Sequence, residues 1–204
     1  MRLKINTFVT RNHGLGHLFA GKAMKLFLAL IFLHGSVCFS QSLEPFPADA
    51  ISNGNCYAKS DLPDTVSPGG FGITDNTSKD LRTDMKTKKE LYLRMEEHEH
   101  AAFRQRYEGQ MLYLINNTSD YQTYPAADSR LYLTAERLTD TGWVAVENIP
   151  PSPCGNSFHK VHQRPGSYYA FVVPVYHFPE KRYKLKLENG DFIYSQNFEA
   201  LPFD

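Results

Sequence analysis

Beyond Lys88 the chain alternates apolar and polar side chains with a period of two, in short runs cut by turn residues, and that pattern commits it to strands. "ELYLRM" alternates Leu91, Leu93 and Met95, "RLYLTAE" alternates Leu131 and Leu133, and "SYYAFVVPV" follows an "RPG" turn. "QMLYLIN" and "GWVAV" are compact apolar runs, the second emerging from "TDTG". The most explicit piece is "RYKLKLENGDFIYSQNF", where Tyr183, Leu185 and Leu187 point one way and Lys184 and Lys186 the other. Asn189-Gly190 is expected to supply the positive φ angles of a type I′ hairpin turn, after which Phe192, Tyr194 and Phe198 resume the alternation. The segment "EEHEHAAFRQRY" at 96–107, taken with the residues just before it, fits a helix face through Leu91, Met95, His98 and Ala102. Its β-rich neighbourhood favours a strand instead, turning into the next strand at Glu108-Gly109. Aromatic residues make up 13% of the chain and are mostly Tyr and Phe, which also suits strands. The expectation is an all-β domain over 88–204: an antiparallel, immunoglobulin-like β-sandwich of seven to nine strands.

The chain before Lys88 reads differently. Residues 41–87 are dense in Pro, Gly, Ser, Asp and Asn with neither period, as in "LPDTVSPGGFGITDNTSKD", and are expected to form an irregular tether. Upstream, "MKLFLALIFLHGSVCFSQS" starts with Lys25, runs apolar from Leu26 to Leu33 and ends in small residues, the pattern of a secretory signal peptide. That run is far below the ~20 residues of a membrane-spanning helix, so no transmembrane anchor is expected after cleavage. The signal region is placed at 1–40, with cleavage after Ser40 and an unused upstream start covering 1–23. A lipid anchor at Cys38 fails because Gly35 and Val37 occupy the places a lipobox reserves for a Leu-like and a small residue.

Charge supports the same compartment. Residues 1–40 hold Arg2, Lys4, Arg11, Lys22 and Lys25 and no acid. Removing those five from the 22 bases leaves 17 against 22 acids, so the body carries about −5. A mildly acidic body lacks the basic footprint that phosphate contacts need, and nucleic acid is not an expected partner.

Three chemistries compete for "PSPCGNSFHKVH" at 151–162. A zinc site needs four convergent ligands, whereas His159 and His162, three apart on a strand, point to opposite faces. The alternative metal set is His98 and His100, correctly spaced for one face of a strand, with His177 or His162 as a further ligand; the bland reading is a hydrated acidic run. A cysteine nucleophile lacks a partner histidine and asparagine at the required distance downstream, and no G-x-S-x-G elbow or phosphate loop appears. The third reading is structural. After cleavage only Cys56 and Cys154 remain, and an oxidising exterior favours their pairing. A Cys56–Cys154 disulfide closing ~100 residues stabilises by about 4–5 kcal/mol in the chain-entropy picture. Trp143, alternating with Ala145, is expected in the core. Tyr121, Tyr124, Tyr168 and Tyr169 offer aromatic surface wherever they face outward.

"LINNTS", "RLYL", "GWVAVENIPPSPCGNS", "YYAFVVP" and "YKLKLENGDFIYSQNF" span most of 112–198 and together resemble single-domain secreted proteins of Bacteroidetes with an immunoglobulin-like β-sandwich. The "FSQ" junction resembles the signal-peptide ends of those bacteria. Gly54, Cys56, Tyr57, Ala58 and Lys59 resemble a phrase near the N-termini of some of their outer-membrane-associated proteins. The resemblance implies a fold and an extracytoplasmic home, and brings no activity. The expected function is a secreted or periplasmic, non-catalytic binding or structural module of the cell envelope, without cofactor. Its partner is an envelope or extracellular protein or glycan, met by loops at one end or by a strand edge. The alternative is a metal-binding protein or hydrolase built on His98, His100, His159, His162 and His177.

Overall fold

A computed structural model describes residues 42–47, 50, 52–67, 74–152 and 154–198. The expected signal peptide at 1–40 lies outside them. Leu43–Asp204 forms one compact unit. Among the described residues there are thirteen strands: β1 Ser52–Asn53, β2 Lys79–Asp80, β3 Leu91–Phe103, β4 Tyr107–Asn116, β5 Gln122–Ala127, β6 Arg130–Leu131, β7 Leu133–Thr139, β8 Gly142–Ala145, β9 Glu147–Asn148, β10 Phe158–Gln163, β11 Ser167–Pro174, β12 Lys181–Lys186 and β13 Phe192–Tyr194. The helical content among the described residues is two single 3-10 turns, Thr83–Met85 and Gly155–Ser157. The chain is mostly β, and segment 96–107 is strand on both sides of a turn.

The strands make two four-stranded sheets, β2-β11-β4-β3 and β13-β12-β7-β8, a three-stranded sheet β10-β5-β6, and the parallel pair β1-β9. All pairings but β1-β9 are antiparallel. One apolar core collects alternate side chains from the three larger sheets: Leu93, Leu112, Leu114 and Phe171, then Leu133, Tyr183 and Leu185, then Tyr124 and Val161. The phase read from β12 is therefore correct at Tyr183 and Leu185. Strand β4 is buried on both faces, with Leu112 and Leu114 in the main core and Tyr113 and Ile115 in a second cluster with Met85 and Tyr168. A central strand covered on both sides has no polar face, so "QMLYLIN" reads as a continuous run.

The segment expected as a tether is irregular, and its described residues are part of the folded body. Phe46 stands edge-on to Phe103, Tyr107 and Tyr176 at 5.4–5.7 Å. Cys56 and Ala58 join the core, the Lys59 carbonyl accepts from the Tyr169 hydroxyl at 2.6 Å, and Asp61 and Asp64 accept from the Arg164 and Lys160 amides. Side-chain acceptors thus dock backbone that has no ladder of its own, which is how a segment rich in Asp and Ser can be ordered without periodicity.

Two turns differ from expectation. The β3–β4 reversal is at Arg104–Gln105–Arg106, with Arg104 and Gln105 both left-handed (φ 50° and 61°). Gly109 instead sits inside β4 between β3 and β11, where a Cβ would come within 2.9 Å of Val172 and 3.0 Å of the Ala101 carbonyl. Its glycine serves close strand approach. A second left-handed pair, Asp128 and Ser129, joins β5 to β6.

The expected type I′ turn at Asn189-Gly190 is absent, because only Gly190 has a positive φ, at 90°. Gly190 N–H donates to the Leu187 carbonyl and Leu187 N–H to the Asp191 carbonyl, a three-residue loop closed by a left-handed glycine. The difference is one residue of register. A two-residue loop pairs Leu187 with Phe192; the observed loop pairs Lys186 with Phe192 and Lys184 with Tyr194. A slip of one flips every side chain of β13. Phe192 and Tyr194 therefore stand on the lysine face, and Ile193 turns inward opposite Leu185.

Finally, β3 carries a bulge. Glu96 pairs with Met111 and His100 with Gln110, leaving Glu97, His98 and Glu99 outside the ladder register. Such an excursion suits charged residues that remain hydrated.

Candidate binding face

The register of β13 and of the β7–β8 hairpin builds one surface. Opposite the core, β8 presents Trp143, β7 Glu136 and Leu138, β12 Arg182, Lys184 and Lys186, and β13 Phe192 and Tyr194. Trp143 belongs here and not in the core where the sequence reading put it: it pairs with Leu138, is half-buried, and packs under the Arg182 guanidinium at 4.1 Å. Both phases of "GWVAV" are apolar, so alternation groups Trp143 with Ala145 without saying which side the pair takes.

The contacts follow the sheet diagonals. Arg182 lies 4.1 Å from the ring centres of both Trp143 and Tyr194, and Lys184 lies 4.3 Å from that of Phe192. Beneath them the buried Glu136 carboxylate accepts from Arg182 Nε at 2.9 Å and Lys184 Nζ at 3.0 Å. The result is a band that alternates ring and cation across the sheet: Trp143, Arg182, Tyr194, Lys184, Phe192. Glu136 fixes the two cations, and the cations fix the rings. Leu138, Phe192 and Tyr194 remain 42–43% exposed, and among the described residues no segment covers them. Edge-strand Val144 is equally exposed, so four of the eight large hydrophobics exposed among the described residues belong to this one sheet. Chemically, the face offers part-exposed rings, each with a cation seated over one side, and N–H donors for anions.

The chain matches no family model, no curated protein and no solved structure.

A shallow depression of about 370 Å³ lies elsewhere, lined by Tyr121, Gln122, Thr123, Leu187, Glu188 and Asn189. Of the tyrosines considered as binding surface, Tyr121 is exposed at this site, while Tyr124, Tyr168 and Tyr169 are buried.

The histidines are dispersed. His98 and His100 are exposed on β3, at the bulge. His159 Nδ1 donates to the Ser157 carbonyl at 3.1 Å, and His162 Nδ1 shares a hydrogen bond with Thr123 Oγ1 at 3.0 Å. His177 Nε2 is 3.9 Å from a Glu108 oxygen. Among the described residues no three His, Cys, Asp or Glu side chains converge as a metal site requires.

The expected Cys56–Cys154 disulfide is not formed: both thiols are free, Cys56 buried and Cys154 exposed beside the 3-10 turn. That Cys56 and Cys154 are the two cysteines left after the expected cleavage says nothing of their separation, and the backbone keeps them apart. Burial pushes the Cys56 thiol well above its usual range, and the neighbouring Glu147 carboxylate pushes the same way, so this thiol is inert.

Glu147 itself was not anticipated from sequence. It is buried under β7, where Ala135 N–H and the Tyr176 hydroxyl donate to its two oxygens at 2.9 Å. Burial outweighs those bonds and raises its carboxyl to about 7. "AVEN" carries no local signal for this, since the burial comes from strands far away in sequence.

Proposed function

We propose that the chain is a non-catalytic binding module of the cell envelope, secreted or periplasmic, in which the sheets form an immunoglobulin-like sandwich and recognition uses the outer face of β13-β12-β7-β8. The observation that carries this reading is the band of Trp143, Arg182, Tyr194, Lys184 and Phe192, held in place from below by Glu136 and open above among the described residues. Exposed apolar patches on a folded domain mark interaction sites, and a fixed side-chain array loses little entropy on binding. The secretory pattern ending at Ser40 and the resemblance to secreted Bacteroidetes proteins support the compartment.

Expression of the full chain in a Gram-negative host, followed by fractionation and N-terminal sequencing, tests the location. The expected product is extracytoplasmic and begins at Gln41; an uncleaved cytoplasmic product overturns it. Binding of the purified mature protein to isolated envelopes tests the surface: Trp143→Ala with Tyr194→Ala is expected to weaken it at least tenfold, and equal binding by the double variant removes the face from the reading.

A further inference from the structure

The charge of the open face identifies a chemical class of ligand. Arg182, Lys184 and Lys186 stand on it around the buried carboxylate of Glu136. Glu136 is shared by Arg182 and Lys184, and Lys186 has its ammonium 6.0 Å from the Tyr132 ring and makes no ion pair among the described residues. The other acids bordering this sheet sit at its ends and in its turns: Glu180, which precedes β12 and accepts from Asn197, Glu188, which pairs with Lys160, Asp191, which accepts from Asn189, and Asp140. The body as a whole is acidic, so three cations gathered on one face are a local reversal of sign.

An aromatic ring packs on the C–H face of a sugar ring, and lysine or arginine beside it recognises carboxylate or sulfate. Trp143, Tyr194 and Phe192 supply the first element three times, with a cation between each pair. A compact ligand fills one such step; an extended polymer that repeats both features fills several together. We infer that the face binds an acidic polysaccharide lengthwise, sugar rings on Trp143, Tyr194 and Phe192 and acidic groups on Arg182, Lys184 and Lys186.

This inference rests on the reading of the chain as an envelope binding module. Affinity electrophoresis of the mature protein at 0.15 M NaCl tests it with three polymers: alginate (carboxylate), dextran sulfate (sulfate) and dextran (neutral). Retardation by alginate, by dextran sulfate or by both, but not by dextran, is expected, and the two acidic arms distinguish carboxylate from sulfate as the recognised group. Trp143→Ala and Lys186→Glu are each expected to lower the affinity about tenfold or more, while Tyr121→Ala leaves it unchanged. Circular dichroism confirms that each variant is folded, and Lys186→Glu alters only an exposed side chain should Trp143→Ala fail to fold. Migration unaffected by either acidic polymer, retardation by dextran equal to theirs, or retardation unchanged in Trp143→Ala and Lys186→Glu overturns the assignment. Failure here together with envelope binding that depends on Trp143 and Tyr194 rejects the polysaccharide alone. A cytoplasmic, uncleaved chain rejects the underlying reading.

Discussion

The two four-stranded sheets carry similar side chains on their outer faces and use them differently. On β2-β11-β4-β3 the rings are Tyr113 and Tyr168, and Arg82 lies 4.8 Å from the centre of the first and 5.9 Å from that of the second. There the chain folds back over the rings. Met85, at the end of the 3-10 turn, is fully buried against Tyr113, Ile115 and Tyr168, and its carbonyl accepts from the Tyr92 hydroxyl at 2.7 Å. Arg94 ties the turn down through Asp84 at 2.6 Å. Under this cover burial, and the bond from its hydroxyl to Glu99, push the Tyr113 phenol up to about 12. On β13-β12-β7-β8 the same vocabulary of ring, cation and carboxylate has no covering segment among the described residues. One face is packing and the other is surface. The contrast shows that ring–cation pairs do not by themselves report function; what lies above them decides.

The largest expected effect sharpens that contrast. Met85→Ala removes a fully buried side chain and is expected to cost about 2–4 kcal/mol, whereas Trp143→Ala on the open face costs about 1 kcal/mol or less. Urea unfolding of the two variants measures both, and equal losses break the comparison. Next comes the underside of the open sheet. Because the Glu147 carboxyl titrates higher in the folded protein than in the unfolded chain, its contribution is fully present below about pH 4.5 and is lost as pH rises through about 7. The full difference is about 3 kcal/mol. Glu147→Gln is expected to flatten this slope, so that the variant gains on the parent between pH 4.5 and 8 in unfolding midpoints. Glu136→Ala, which leaves Arg182 and Lys184 without their shared acceptor, is expected to cost about 1–3 kcal/mol, and to loosen the aromatic band so that Trp143 fluorescence shifts to the red. A loss as small as that of Trp143→Ala would mean that the band is not held from below. The smallest effect tests the turn: Gly190→Ala forces a side chain to φ 90° and is expected to cost about 1 kcal/mol in thermal unfolding.

The strands were legible because burial on one side imprints alternation, and Tyr183 and Leu185 were assigned to the core from that alone. The open face was not legible, for two reasons of the same kind. Asn189-Gly190 is compatible with a two-residue and a three-residue loop, and tertiary packing of Ile193 against the core selects the second, carrying Phe192 and Tyr194 outward. In "GWVAV" both phases are apolar, so the side taken by Trp143 depends on Val146, which packs on the core from the other phase. Order in the described residues before Lys88 was hidden because it comes from acceptors such as Asp61 and Asp64 reaching backbone a hundred positions away. The cysteine pairing failed since redox chemistry permits a bond only where the fold brings two sulfurs together.

The three residues of β3 outside the ladder register have a consequence for how copies of the protein meet. β3 is the longest strand and borders its sheet, so an even row of amides along its thirteen residues would invite a neighbouring copy to add its own strand and start a growing stack. Glu97, His98 and Glu99 break that row in the middle and place charge at the gap, which denies any incoming chain a long, regular partner.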